Sequence, residues 1–148
     1  MGYRFIDLAR QRSGSAVIEF ALLAPVLLLL MLGTFQFGLV LINYMTLTNA
    51  TQTAARQFAV SRGSTTSWSN AKSQLYGAAP NLVQADVTIT FSVNGGACTS
   101  DATCKTGLDA GQGTSAVLTA TYPCSLIVYG HDYSPTCILT SQVTERIE

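Results

Sequence analysis

One long apolar stretch dominates the first third of the chain. It runs from Ala16 to Ile42, and its only strongly polar positions are Glu19 and Gln36. A helix of that length rises roughly 40 Å, more than the hydrocarbon core of a bilayer, which is about 30 Å thick. The pattern therefore predicts a transmembrane helix over residues 15–42. We expect a retained anchor, because the apolar region of a secretory signal peptide is only about 7–15 residues long.

Helical periodicity continues beyond this apolar stretch. Between residues 43 and 63 the apolar residues recur at helical spacing, with Thr, Asn, Gln and Arg mostly between them. Gly63, preceded by Arg62, is a plausible stop. We expect one helix of about 48 residues, roughly 70 Å long. Its second half is amphipathic and needs a packing partner. The apolar positions of that half are Tyr44, Leu47, Ala54, Ala55 and Phe58.

Residues 64–148 show the two-residue alternation of half-buried strands. Pro80 ends a short helix, and Asn94-Gly95-Gly96 is a turn signal. On the last strand, Leu139, Val143 and Ile147 are expected to face inward. The predicted elements are a helix at Trp68–Ala79 and strands at Val87–Val93, Thr114–Tyr122 and Ile138–Glu148, with a short apolar segment at Ser125–Tyr129.

The two halves of this pattern complement each other. An antiparallel sheet has one apolar face to bury, and so does the amphipathic half of the long helix. We therefore expect an α+β protein in which the long N-terminal helix packs on a small antiparallel β-sheet domain.

Four cysteines lie in the sheet region, at Cys98, Cys104, Cys124 and Cys137. An even count outside the membrane segment favours two disulfides in an oxidising compartment. Of the three possible pairings we favour the local one, Cys98–Cys104 with Cys124–Cys137, because each pair brackets a loop rich in Gly, Ser or Asp. The spacings lack the short Cys-x2–4-Cys unit of zinc sites, so we expect no metal.

Charge is scarce and unevenly placed. Eight basic residues balance eight acidic ones, and charged residues make up 11% of the chain. This argues against a nucleic-acid partner, since binding to phosphates needs a basic excess. Residues 1–14 carry Arg4, Arg10 and Arg12 against Asp7. This basic leader places the N-terminus in the cytoplasm and the remainder outside.

No enzyme motif accompanies these features. The single histidine, His131, stands beside Asp132 without a serine or cysteine nucleophile in a recognisable motif. No glycine-rich loop precedes a helix with a lysine that could hold a phosphate. We expect neither catalysis nor a cofactor.

Glu19 is the one carboxylate in the apolar stretch, and its surroundings form a pattern. Basic residues lead to Gly14, four residues follow, and then come Glu19 and Phe20, with Pro25 further along. This arrangement resembles the type IV pilin superfamily and, within it, the TadE-like family of minor pilins or pseudopilins of Flp (Tad) pilus systems. The resemblance covers roughly residues 10–63.

The resemblance implies a processing and assembly route. A prepilin peptidase would cut between Gly14 and Ser15 on the cytoplasmic side, which makes Glu19 the fifth residue of the mature chain. Glu19 would pair with the new amine of its own or a neighbouring subunit, with Phe20 beside it, and Pro25 would kink the helix. Implied partners are the peptidase, other pilin and minor pilin subunits, the inner-membrane assembly platform and the lipid bilayer.

The implied location is the bacterial inner membrane, crossed once, with the C-terminal domain in the periplasm or outside the cell, and the resemblance allows incorporation into a pilus. Two other functions remain open at this point. One is a pseudopilin of another type IV filament or of a type II secretion system. The other is a membrane-anchored extracytoplasmic binding module unrelated to pili.

Overall fold

A computed structural model describes residues 12–124, 127–128 and 130–148, with no side-chain description for residues 12, 13, 127 and 128. The predicted leader up to residue 11 and parts of the short apolar segment at 125–129 lie outside the described residues. The chain divides into two units, Met1–Phe37 and Gly38–Glu148. The helices are α1 (Arg12–Ala59), α2 (Ser67–Ala78) and α3 (Asp101–Ala110); the strands are β1 (Thr88–Val93), β2 (Gly96–Cys98), β3 (Ser115–Pro123), β4 (Ile127–Val128), β5 (His131–Asp132) and β6 (Ile138–Arg146).

In the unit Gly38–Glu148, the last three turns of α1 supply one wall of the core. Phe58 is fully buried, and its ring lies 4.9 Å from that of Phe91 on β1, measured between centroids. Thr51 is also fully buried, and its hydroxyl donates to the carbonyl oxygen of Leu47 at 2.6 Å. That bond within the helix satisfies the polar group, which explains how a threonine occupies an apolar face. The buried positions of α1 are Leu47, Ala50, Thr51, Ala54, Ala55, Phe58 and Ala59.

Two details of this helix differ from the sequence prediction. Tyr44 remains 44% exposed, because burial begins one turn later at Leu47. The helix ends at Ala59, earlier than the predicted stop at Gly63. Ser61 ends it by directing both its backbone N–H and its hydroxyl to the carbonyl oxygen of Phe58, at 3.1 and 2.7 Å. Gly63, with φ of +80°, lies in the turn that follows.

The main sheet has four antiparallel strands in the order β2-β1-β3-β6. Asn94 and Gly95 both have positive φ, 48° and 80°, in the two-residue turn that joins β1 to β2. This is the conformation that a right-twisted hairpin favours, and Asn-Gly is its preferred sequence. A separate two-stranded ribbon, β4 with β5, lies between β3 and β6 in the chain.

One face of this sheet packs on α1. Phe91, Leu118 and Ile147 are buried in the same cluster as Leu47 and Phe58, and Leu139 and Val143 are partly buried against it. The inward face predicted for the last strand is therefore confirmed. The predicted class, a long apolar N-terminal helix with a small antiparallel sheet in an α+β architecture, is confirmed as well.

Helix α3 was not predicted from the sequence. Its N-terminus carries a reciprocal capping box, in which the Ser100 hydroxyl accepts from the Thr103 backbone and the Thr103 hydroxyl accepts from the Ser100 backbone. Cys104 and Leu108, one turn apart, are fully buried. The capping pattern and this spacing together account for a short helix in a segment rich in Asp, Thr and Gly.

Candidate functional site

The predicted processing and assembly residues all lie in the first turns of α1. The Ser15 hydroxyl donates to the Glu19 carboxylate at 3.2 Å, one helical turn along. Both residues are exposed, and so is Phe20, at 68%. The structure thus brings Ser15 and Glu19 into direct contact and leaves their surroundings open to a lipid or protein partner.

Gly14 has no packing role in the described chain. A Cβ atom added at this position would meet nothing within 4 Å. Its backbone is helical and does not have the positive φ that favours glycine. Neither sterics nor backbone conformation therefore requires a glycine at this place.

The apolar stretch of α1 presents its side chains outward. Leu28, Leu29 and Met31 are each more than half exposed, as are most of their apolar neighbours. This is the one helix among the described residues that is long and apolar enough to cross a membrane. So much exposed apolar area is unfavourable in water. The segment is therefore suited to a membrane anchor.

Pro25 lies inside this helix, and the helix continues through it. Proline has no backbone N–H, so the carbonyl of Ala21 loses its usual intrahelical donor. A second modification of the hydrogen-bond pattern occurs at Thr34, whose hydroxyl donates to the carbonyl oxygens of Leu30 and Met31, both at 2.9 Å. In a membrane, such local bonds satisfy polar side chains that have no water available.

The structure pairs Cys98 with Cys104 and Cys124 with Cys137, the local pairing that the sequence favours. The first disulfide joins β2 to α3, with Cα atoms 5.0 Å apart. The second closes the segment between β3 and β6, with Cα atoms 5.1 Å apart, and the Cys124 N–H also donates to the Cys137 carbonyl oxygen at 3.1 Å. Both bridges therefore fasten short elements to the main sheet.

Two carboxylates of α3 hold the neighbouring segments, and neither contact was predicted from the sequence. The Asp101 carboxylate accepts a hydrogen bond from the backbone N–H of Ser69, in the first turn of α2, at 2.9 Å. The residue at the N-cap position of α2, Thr66, does not cap the helix with its own side chain. The hydrogen bond from Ser69 lowers the pKa of Asp101 below its ordinary value. A carboxylate from one helix thus caps the N-terminus of another, where the helix dipole also favours negative charge.

Asp109, at the end of α3, holds a turn instead of a helix end. Its carboxylate accepts the backbone N–H of Gly63 at 2.9 Å and the ammonium of Lys105. The Lys105 hydrogen bond is the main cause that lowers the pKa of Asp109, and the Gly63 bond adds to it. The contact fixes the turn after α1 against α3. Such a long-range contact leaves no local sequence signal, because its two partners are 46 residues apart.

A shallow groove of about 470 Å³ runs along the outer side of α2. Lys72 places its ammonium 4.7 Å above the Trp68 ring and 6.0 Å from the Tyr76 ring. These cation–π contacts hold the lysine on the aromatic surface. The remaining residues of the groove are Ser69, Ser73, Gly77 and Gln84.

The histidine considered for catalysis lies at the surface. His131 is exposed on β5, with its ring 5.7 Å from that of Tyr133 in an edge-on arrangement. Asp132, beside it, accepts the backbone N–H of Ser134 at 2.9 Å and so stabilises a turn. In the described part of the chain, no three His, Cys, Asp or Glu side chains come together as metal ligands.

Comparison with known proteins adds one positive finding. Residues 14–56 match the family model described as TadE-like protein. No curated protein matches the chain, and no solved structure matches it. The matched region begins at Gly14, contains Glu19 and Pro25, and ends near the C-terminus of α1. The chain thus contains a TadE-like segment at residues 14–56, as the resemblance of its Gly14-to-Phe20 pattern indicated.

Proposed function

We propose that this protein is a minor pilin or pseudopilin, processed by a prepilin peptidase, that takes part in the assembly of a Flp/Tad type IV pilus. The observation that carries the proposal is the TadE-like match, which begins at Gly14 and covers the apolar helix. The family is a pilus-associated and structural one, which agrees with an anchoring helix rather than a catalytic centre in the matched part of the chain.

The proposed cleavage site lies between Gly14 and Ser15. Support comes from the glycine itself, which neither packing nor backbone conformation requires. Support also comes from the charge pattern, since cleavage would remove a leader whose three arginines and one aspartate give it a net charge of +2. A basic segment before an apolar helix keeps that end in the cytoplasm, where the peptidase would act on it.

Cleavage would change the electrostatics around Glu19. The backbone nitrogen of Ser15 would become an α-amine, mostly protonated at neutral pH. This nitrogen is three bonds from the hydroxyl that contacts the Glu19 carboxylate. An ammonium within reach of a carboxylate offsets much of the cost of placing that carboxylate in an apolar surrounding. The same amine could instead reach Glu19 of an adjacent subunit, and this pairing would fix how subunits align.

The exposed apolar helix is suited both to a subunit in the bilayer and to a subunit in an assembled filament. In the bilayer, lipid would cover Leu28, Leu29 and Met31; in an assembled filament, the helices of other pilin subunits would replace the lipid. The single crossing, the cytoplasmic N-terminus, the bacterial inner membrane and the periplasmic or extracellular domain belong to this proposal. So do the prepilin peptidase and the inner-membrane assembly platform as partners.

The cleavage step is tested by the mature N-terminus. The full-length gene is expressed with its native assembly genes, membranes are isolated, and the intact mass and N-terminal sequence are measured. We expect loss of Met1–Gly14 and a new terminus at Ser15. Gly14→Arg should abolish this processing, whereas Gly33→Ala, another glycine of α1 with open space around it, should leave it intact. A wild-type protein that keeps its full mass would refute the cleavage and favour a membrane-anchored binding module.

The pairing step is tested by separating the charge of Glu19 from its hydroxyl contact. Glu19→Leu should be processed normally yet fail to support pilus assembly, scored by electron microscopy and by pilin in the sheared surface fraction. Ser15→Ala keeps the new amine and removes only the 3.2 Å hydroxyl contact, so assembly should continue. Normal pili with Glu19→Leu would refute the pairing.

A further inference from the structure

The strand β6 forms one edge of the main sheet. It pairs with β3 along all of Ile138–Arg146, and within the described residues no strand pairs with it on the other side. The opposite edge strand, β2, has only three residues and is fastened to α3 by a disulfide. At nine residues, β6 is the long open edge of this domain.

The register shows which backbone N–H and C=O groups of β6 point away from β3. Beyond the two ends of the ladder, Ile147 N–H donates to Thr114 and Cys124 N–H donates to Cys137, so these pairs are of the hydrogen-bonded type. Such pairs recur at every second residue in an antiparallel ladder. Leu139, Ser141, Val143 and Glu145 therefore direct their backbone toward β3. The residues that direct their N–H and C=O groups away from the sheet are Ile138, Thr140, Gln142, Thr144 and Arg146.

The open edge has few of the devices that normally prevent pairing with another strand. Proteins protect such edges with proline, lysine, inward-facing charges, bulges or short strands, and the one inward-facing charge of β6, Glu145, already lies 3.7 Å from Arg56. The sequence of β6 is Ile-Leu-Thr-Ser-Gln-Val-Thr-Glu-Arg, with no proline or lysine and one arginine at its end. Its pairing with β3 is continuous and without a bulge. An unprotected edge with β-branched side chains is a surface for strand addition.

We propose that β6 pairs antiparallel with β6 of a second copy of this chain, about a two-fold axis through Gln142. In this register Thr140 of one copy faces Thr144 of the other, and Ile138 faces Arg146. Each facing pair would exchange two backbone hydrogen bonds with the groups that point outward. Threonine pairs across strands are favourable, and no two like charges meet. The strand is thus complementary to itself, and this argues for a second copy as the occupant.

The same arrangement would also bury more of the side chains on the inner face of the sheet. Leu139 and Val143 are only partly buried at this edge. In the proposed register Val143 faces Ser141 of the partner and Leu139 faces Glu145, whose carboxylate lies 3.7 Å from the Arg56 guanidinium. The two sheets would join into one of eight strands, and the half-buried edge side chains would lose solvent contact. The inference concerns the unit Gly38–Glu148 and does not depend on the proposed function.

Cysteine cross-linking in membranes tests the contact and its register. Gln142→Cys should give a disulfide-linked dimer as the main species on a non-reducing gel, because facing Cα atoms would lie about 5.5 Å apart. Thr90→Cys is the matched control, an exposed position on the interior strand β1, and should stay monomeric. Thr140→Cys alone should also stay monomeric, since its own copy would lie roughly 13 Å away along the strand. Coexpressed with Thr144→Cys, it should give the dimer.

A charge exchange at the two-fold axis tests the same interface without cysteines. Gln142→Lys would place two ammonium groups side by side, and Gln142→Glu two carboxylates, so each variant should sediment as a monomer in detergent. Their mixture should restore the dimer. Equal cross-linking at Gln142 and Thr90, or a dimer unaffected by either charge, would overturn the proposal. A cross-linked species whose mass differs from two copies would overturn it in favour of a different partner strand.

Discussion

Phe58→Ala is the substitution that tests the packing of α1 on the sheet most directly. Phe58 is fully buried, and its ring lies 4.9 Å from that of Phe91 with 57° between the ring planes. Truncation to alanine would remove the ring from the contact between helix and strand and leave a cavity among buried side chains. Alanine is also a good helix former, so α1 itself should persist.

The expected loss has two parts. Burial of a phenylalanine side chain contributes about 1.5–3 kcal/mol from area alone. The cavity and the lost contacts raise the cost of a buried Phe→Ala change to about 3–5 kcal/mol. Since a domain of this size is stable by about 5–15 kcal/mol in total, Phe58→Ala should remove a large part of its stability. For a urea m-value of about 2 kcal/mol per M, the midpoint would fall by about 2 M.

The assay is urea unfolding of the full chain in detergent, followed by tryptophan fluorescence. The chain has one tryptophan, Trp68, whose ring lies 6.5 Å from that of Phe91, so its emission reports on this core. The matched control is Phe20→Ala, because Phe20 is 68% exposed on the same helix and its truncation should change the free energy of unfolding by less than about 0.5 kcal/mol. A loss below about 1 kcal/mol for Phe58→Ala would refute the assignment of Phe58 to the centre of the core.

Two further outcomes are expected. Because the Ser69 N–H holds the pKa of Asp101 below its ordinary value of about 3.9, ionised Asp101 stabilises the fold above that pH, and the contribution is lost as the pH falls through the folded-state pKa. Asp101→Asn should therefore weaken the dependence of the urea midpoint on pH between about 6 and 3. Gly111→Ala should destabilise strongly, since its Cβ would lie 2.8 Å from a backbone oxygen; Gly77→Ala, with open space in α2, should instead stabilise by about 0.5–1 kcal/mol in the same titration. A neutral Gly111→Ala would contradict the close packing there.

The features that could be predicted from the sequence are those that depend on a local pattern of residues. A run of apolar residues and a 3.6-residue period predicted α1 almost to its end, since each turn of a helix is formed by residues close in the chain. Two-residue alternation predicted β1, β3 and β6, and Asn94-Gly95 predicted the hairpin turn. The processing and assembly residues Gly14, Ser15 and Glu19 were identified through the resemblance of their surroundings to TadE-like pilins, and their roles are still proposals.

The features missed were those in which distant residues satisfy each other. Thr51 is polar in the sequence, and only the packing of α1 on the sheet makes it a core position. Helix α3 does have a local capping box at Ser100 and Thr103, but only the elements packed around it make Cys104 and Leu108 buried positions. Asp101 caps a helix that begins more than 30 residues earlier. Such contacts depend on which elements meet in space, and a single sequence does not encode that in any local window.

The sequence by itself determined the apolar helix, the strand faces and the local chemistry around Glu19, because each follows from residues within a few positions of one another. Only the tertiary structure decided where α1 stops, which carboxylates cap which segments, and which strand is left at the edge of the sheet. Strand order brings together backbone groups from distant parts of the chain. Which backbone groups of β6 point away from the sheet is therefore known only once β3 is known to pair with its other edge.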